Sequence, residues 1–308
     1  AGNMDSMVNR YTADRKRRSD DAYSPDNQGG KRPDRSVIVY SQRCKQAYPG
    51  VPVILGGIEA SLLRIAHYDY WQDKIRRSIL LDAKADYLCY GNAERAIVGL
   101  AHAMAGNRDS EDVTSLRGVG FATSSIANDR HILDASSPDN HVPNQSPEGS
   151  LIKLPSYDQV VSDPRAYAHS VRLLYRETNP YNARTLIQYH DKRIVQLNPP
   201  AQPLSTEELD QLYALPFSRK AHPLYGESKF PALEMIRHSV NIMRGCFGGC
   251  SFCSLTIHEG RMIQSRSVNS AIHEIETIRD NDPSFTGVIS DLGGPSANMY
   301  RLNCKDPK

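Results

Sequence analysis

The chain lacks most of what would tie it to a membrane, an export route or a nucleic acid. No apolar run approaches the roughly 18 residues that a membrane-spanning helix needs. No charged-then-apolar leader marks secretion, so the expected setting is the cytoplasm. Its 37 basic and 35 acidic residues leave a formal net charge of +2, which makes no electrostatic case for nucleic acid. The basic runs Arg15-Lys16-Arg17-Arg18 and Lys31-Arg32 read as solvated loop charge. Paired carboxylates, Ser-His-Asp order and a phosphate-cradling loop are also missing, which leaves hydrolytic and kinase readings without support.

Cysteine is scarce and unevenly spread. There are six in 308 residues. Cys44, Cys89 and Cys304 are scattered, while Cys246, Cys250 and Cys253 crowd into "RGCFGGCSFCSLT". Such crowding argues against a disulfide scaffold and for a metal or cluster site in a reducing compartment.

What is present suits a globular fold. Hydrophobic residues make up 39% and charged residues 23%, enough to bury a core in one large domain or two ordinary ones. "RSVIVYSQRCKQAYPGVPVILGGIEASL" reads as a helix, a Pro49-Gly50 turn and a strand over 51–55 that runs into Gly56-Gly57. "ADYLCYGNAERAIVGLAHAMAG" repeats the theme, with a strand over 86–90, Gly91 and an amphipathic helix to about Gly106. Strands alternating with helices predict a parallel α/β sheet. Glycines after both strands fit either ligand-facing loops or ordinary turns. His67, Tyr68, Asp69, Tyr70 and Trp71, between them, either line a site or cap the sheet.

Polar, proline-containing sequence over 109–147 predicts loops and short strands, followed by helical sequence over 156–177. A hairpin is expected in "TLIQYHDKRIVQLNPP", turning at 190–192. Ser205 and Glu208 form a capping box for a short helix ended by Pro216. A strand over 239–245 then delivers the cysteine loop, a helix follows from Val268 to about Arg279, and "TGVISDLGGP" is a strand ending at Gly293-Gly294. Strand, cysteine loop, helix, strand and glycine turn read as the opening of a β/α barrel. The resulting division is an α/β domain over 1–110, incomplete at its start, a connecting α+β region over 111–230, and the beginning of a barrel over 231–308. The chain starts without an initiator Met and stops soon after a motif that lies early in its domain, so a fragment is expected.

Three clustered thiols invite a metal. Structural zinc usually takes four ligands, often as two separated pairs, and no matching fourth ligand follows promptly here. A [4Fe-4S] cube with three protein thiolates and one open iron fits the count better. Gly248 and Gly249 let a short loop wrap a bulky group without Cβ clashes.

Cys246-x3-Cys250-x2-Cys253, with Phe252 before the third cysteine, resembles the radical S-adenosylmethionine superfamily. "AGNMDSMVNRYTADR", "GGIEASLLRIAHYDYW", "LLDAKADYLCYGNAERAI", "RGCFGGCSFCSLTIHEGR" and "SDLGGPSANMYRLNC" together resemble the YgiQ-like family (UPF0313) within it, over nearly the whole chain. The resemblance implies that Cys246, Cys250 and Cys253 hold a [4Fe-4S] cluster. It implies that Phe252 sits by the adenine of S-adenosylmethionine, and Gly293 and Gly294 by its methionine end. It implies reductive cleavage of that molecule to a 5'-deoxyadenosyl radical, with an electron from a flavodoxin- or ferredoxin-like reductant. The usual acidic residue after the glycines is replaced by Pro295. "QSRSVNSAIHEI" resembles the Arg-Ser…Glu-Ile helix start common after this loop.

Through Gly56-Gly57 and Tyr90-Gly91-Asn92-Ala93-Glu94, the first domain resembles a Rossmann-like cobalamin-binding-type module. Its lower-axial Asp-x-His-x-x-Gly motif is missing, which disfavours cobalamin. By analogy of fold the module suggests methylation or methylthiolation of a macromolecule. The expected architecture is that module followed by a truncated radical-SAM β/α partial barrel, with too little chain for activity by itself. The competing reading is a non-catalytic iron-sulfur protein that senses redox state or scaffolds partners. His258, Glu259 and Arg261 are candidates for substrate contact because they closely follow the loop. Cys304 reads as a hydrogen-donor thiol or a plain buried cysteine.

Overall fold

A computed structural model of the chain describes residues 5–106, 112–127, 130–144, 146–294 and 297–303. They divide into two compact units, one built mainly from 34–202 and the other from 8–33 with 203–307. The chain passes between the units at 7/8, 33/34 and 202/203.

The first unit is a seven-stranded sheet. Its strands are β1 (Ile54–Leu55), β2 (Tyr87–Cys89), β3 (Val119–Thr123), β4 (Ile132–Asp134), β5 (Leu151–Lys153), β6 (Thr185–His190) and β7 (Arg193–Leu197). Their order across the sheet is β1-β2-β3-β7-β6-β5-β4. β1/β2, β4/β5 and β5/β6 are parallel, whereas β2/β3, β3/β7 and β6/β7 are antiparallel. The sheet is therefore mixed, not the purely parallel one that strand–helix alternation predicts. β6 and β7 are joined by the two residues Asp191 and Lys192, and so short a link can only reverse the chain. The region expected to be a connection supplies five of the seven strands. Three of its strands, within polar or proline-containing sequence, are only three to five residues long, too short to show a period.

Alternation along the strands builds a core on each face. Leu55, Leu88, Ile152, Leu186, Val195 and Leu197 face one side. Cys89 and Val119 face the other, as do Leu151, Ile187 and Ile194. The first core is covered by α2 (Gly57–Leu62) through Ala60 and by α5 (Pro164–Arg176) through Leu173 and Leu174. α1 (Ser36–Ala47) adds Val37 to that core, and α3 (Glu94–Met104) lays Ala96 and Leu100 over Cys89 and Val119. The helical stretch over 156–177 is two helices, α4 (Tyr157–Ser162) and α5. Asp163 accepts from the Arg165 amide at 2.8 Å and caps a helix that opens on Pro164, a residue that fits a first turn and interrupts an interior.

In the second unit, α6 (Thr206–Tyr213) carries the expected capping box of Ser205 and Glu208. The strand expected over 239–245 is two, β8 (Ser239–Asn241) and β9 (Met243–Arg244). The chain changes partners at Ile242, whose N–H donates to Gly293 and whose carbonyl accepts from Arg266. β9 pairs antiparallel with β10 (Gln264–Ser265), and β8 pairs parallel with β11 (Asp291–Gly293). α7 (Leu255–His258) and α8 (Val268–Asn281) lie between, so β8, α8 and β11 form one βαβ unit over Val240, Ala271 and Ile278. Among the described residues no helix is long and apolar enough to cross a membrane.

Candidate functional site: the cysteine loop

The loop starts where only glycine fits. Gly245 follows β9 at φ 84°, and a Cβ there would stand 2.1 Å from the Met262 carbonyl oxygen. Three ties then close the loop's base. The Gly245 N–H donates to Glu259 Oε2 at 2.9 Å, and the Cys246 N–H to the Gly260 carbonyl at 3.1 Å. Oγ1 of Thr256, the buried residue of α7, lies 3.3 Å from the Cys246 carbonyl oxygen and 3.0 Å from that of Gly248.

The loop's three cysteines are free. Cys246 and Cys253 are half-buried and Cys250 is exposed. The Cys253 N–H donates to the Cys250 carbonyl at 3.1 Å, closing a turn around Ser251 and Phe252. Phe252 is 91% exposed at its tip. A Cβ added at Gly248 would lie 3.2 Å from Cys246 Sγ and 4.0 Å from Cys250 Sγ, so two sulfurs flank a position kept clear of side chain. Among the described residues no three His, Cys, Asp or Glu side chains converge as ligands of a single ion. A cube binds each thiolate at a different iron, so its cysteines stand wider apart than the ligands of one ion. Three free thiols on one loop, relieved by glycine, suit that larger group.

The glycine pair is held beside the root of this loop. Parallel register sets Asn241 against Gly293, and the Gly293 carbonyl accepts from the Ile242 N–H at 2.8 Å. At Gly294 a Cβ would lie 2.4 Å from Met243 Cγ. Met243 is 1% exposed, and its Sδ also receives the Met299 N–H at 3.3 Å. The glycine pair thus ends the parallel pair β8/β11, and the cysteine loop leaves the short strand β9 that follows β8.

The Arg-Ser…Glu-Ile helix start is a packing device. Arg266, 1% exposed, donates to the Asn241 carbonyl at 2.8 Å, pairs with Glu274 and lies over the Tyr213 ring at 4.2 Å. Glu274 also pairs with Arg219. Glu259, weighed as a substrate contact, ties the loop's base. Arg261 is exposed and His258 half-buried. Thr256 and Met243 carry no signal in spacing or composition, and only the fold brings them to the loop. Pro295 and Cys304 lie outside the described residues.

Within the first unit, Gly56-Gly57 and Gly91 follow two parallel strands in register at Leu55 and Leu88, so they stand at one end of that pair. Gly57 and Gly91 take positive φ of 81° and 72°, and the Gly91 N–H donates to Ser61 Oγ at 3.1 Å. The polar-aromatic cluster forms a hairpin of 67–69 with 74–76. Asp69 is its hub, accepting from Arg35 and from the Trp71 and Gln72 amides. Burial pushes its carboxyl up, but those donors prevail and hold it below the usual carboxylate range.

A family model described as Radical SAM N-terminal matches residues 1–239. A UPF0313 protein of Rhodopseudomonas palustris is 58% identical over 307 residues, covering 99% of this chain and 45% of its own length. The chain belongs to the UPF0313 family of radical S-adenosylmethionine proteins. UPF0313 proteins of Bradyrhizobium diazoefficiens, 57% identical, and Vibrio parahaemolyticus, 52% identical, each span 100% of this chain and 46% and 44% of their own length. The chain spans about half the length of these curated UPF0313 relatives. Among solved structures, the radical S-adenosylmethionine methyltransferase TsrM of Kitasatospora setae matches with a TM-score of 0.39 and 15% identity, over 85% of this chain and 33% of that one.

Proposed function

We propose that the chain carries the cluster loop of a cytoplasmic radical-SAM enzyme, with Cys246, Cys250 and Cys253 as the three protein ligands of a [4Fe-4S] cluster. When bound, such a cluster with one open iron supplies the electron that cleaves S-adenosylmethionine to methionine and a 5'-deoxyadenosyl radical. A flavodoxin- or ferredoxin-like protein is the proposed source of that electron. Gly293 and Gly294 are assigned to the methionine end, and Phe252, standing clear at the tip of its turn, to the adenine. In the proposed reaction the radical abstracts hydrogen from the substrate. The first unit's glycine-flanked strand ends are the proposed place for a second ligand, with cobalamin disfavoured.

One observation carries this reading. Three free thiols sit on a glycine-relieved loop, two of their sulfurs flank Gly248, and the glycine pair of the neighbouring parallel strand stands at its root. Membership of a radical-SAM family supplies the chemical class.

The test has two parts. Anaerobic reconstitution of this chain should load about four irons per chain, and Cys250→Ser should abolish most of that loading. The 58% identical Rhodopseudomonas relative, reduced with dithionite and given S-adenosylmethionine, should release 5'-deoxyadenosine. Iron without cleavage would turn the reading to a redox-sensing protein. Tetrahedral zinc, or a fourth protein ligand on the cluster, would remove the proposal.

A further inference from the structure

We propose that Thr256 is a positioning residue that aims backbone N–H groups of the cysteine loop at the cluster side. The inference rests on the cluster reading above and assigns a residue that neither the motif nor the family resemblance singles out.

The hydrogen-bond pattern of the loop divides sharply between base and tip. At the base, the N–H groups of Gly245 and Cys246 are taken by Glu259 and by the Gly260 carbonyl. From Phe247 to Phe252 no N–H has an acceptor among the described residues. Five of these six residues are exposed, so their amides face solvent and are free to meet a group bound against the loop. They are interrupted by no proline and surround the three thiols, so the sulfurs of a bound cluster would supply their acceptors.

Thr256 sets which way two of them point. Its hydroxyl reaches the carbonyl oxygens of Cys246 and Gly248 from the α7 side, and Thr256 is 6% exposed. In a trans peptide the carbonyl and the following N–H point in opposite directions. Both carbonyl oxygens lie against Thr256 Oγ1, whose single proton is shared between them, so the N–H groups of Phe247 and Gly249 point away from α7. At Gly248, between them, the side-chain direction faces the sulfurs of Cys246 and Cys250. The geometry points to N–H donors directed at cluster sulfur, and hydrogen bonds to sulfur are among the protein's means of setting a cluster's reduction potential.

The test compares Thr256→Val, which keeps volume and removes the donor, with Thr256→Ser, which keeps the donor. In the iron-free 308-residue chain, amide exchange at the loop's base should quicken roughly fivefold in Thr256→Val, the size of one lost hydrogen bond, and stay unchanged in Thr256→Ser. After anaerobic loading, Thr256→Val should show a midpoint potential shifted to the negative side and altered electron paramagnetic resonance g-values, while Thr256→Ser matches the unsubstituted chain. Loss of iron uptake in the valine variant alone would also support the assignment. Equal exchange, potential and spectrum in all three proteins would overturn it. Should the valine variant fail to fold, Thr256→Ala removes the same hydroxyl and carries the same expectations. Failure of the unsubstituted chain to take up iron would instead overturn the cluster reading, with the exchange measurement still reporting on Thr256.

Discussion

At the scale of single residues, His190 has the clearest cost. It is 4% exposed and stacks on Tyr157, centroids 5.6 Å apart, and neither ring nitrogen has a hydrogen-bond partner among the described residues. Burial pushes its pKa down to about 4, and the Arg77 charge adds to this. An unfolded histidine takes its proton near pH 6.5, so between there and about 4 the unfolded chain binds more protons. Stability is unaffected by His190 above that window and falls as pH drops through it, by up to about 1.4 kcal/mol per pH unit. Urea midpoints at pH 7 and pH 5 should separate more for the unsubstituted chain than for His190→Phe; equal separations would contradict this. The cysteines were legible at this scale because their spacing is local. The burial of His190 was not, because it depends on Tyr157 and on residues more than 100 positions away.

At the scale of elements, the loop is only as firm as the βαβ unit beneath it. Arg266 sews the end of β8 to α8, and its buried charge is answered by Glu274. Glu274→Gln leaves that guanidinium without a carboxylate, with an expected cost of about 3 kcal/mol in urea unfolding. Arg266→Met should cost less, because Glu274 keeps Arg219. The reverse order would show that Arg266 acts through packing against Tyr213 rather than through charge. Element signals that live within one turn read well from sequence, as the capping box of Ser205 and Glu208 shows. The break between β8 and β9 did not read, because Ile242 changes partners with Gly293 and Arg266, both distant in the chain.

For the whole molecule, the sheet supplies the rigid part. β3, β6 and β7 lie inside the sheet order, and their side chains are buried on both faces. Their amides should exchange slowest, and those over 247–252, which have no acceptor among the described residues, fastest. Hydrogen exchange by mass spectrometry reads both in one experiment. Loop amides as slow as the strands would mean that another group already covers them.

The order of residues alone gave the cysteine spacing, the capped helix after Ser205, the hairpin turning within 190–192 and the family, since each is written in neighbours or in long characteristic runs. Tertiary structure alone decided that the sheet is mixed, that the five strands from Val119–Thr123 to Arg193–Leu197 belong to it, and that Thr256, Glu259 and Met243 attend the cysteine loop. The physical reason is range. Caps, turns and thiol spacing act over a few residues, whereas strand order, burial and the direction of a carbonyl depend on which distant segments fold against them.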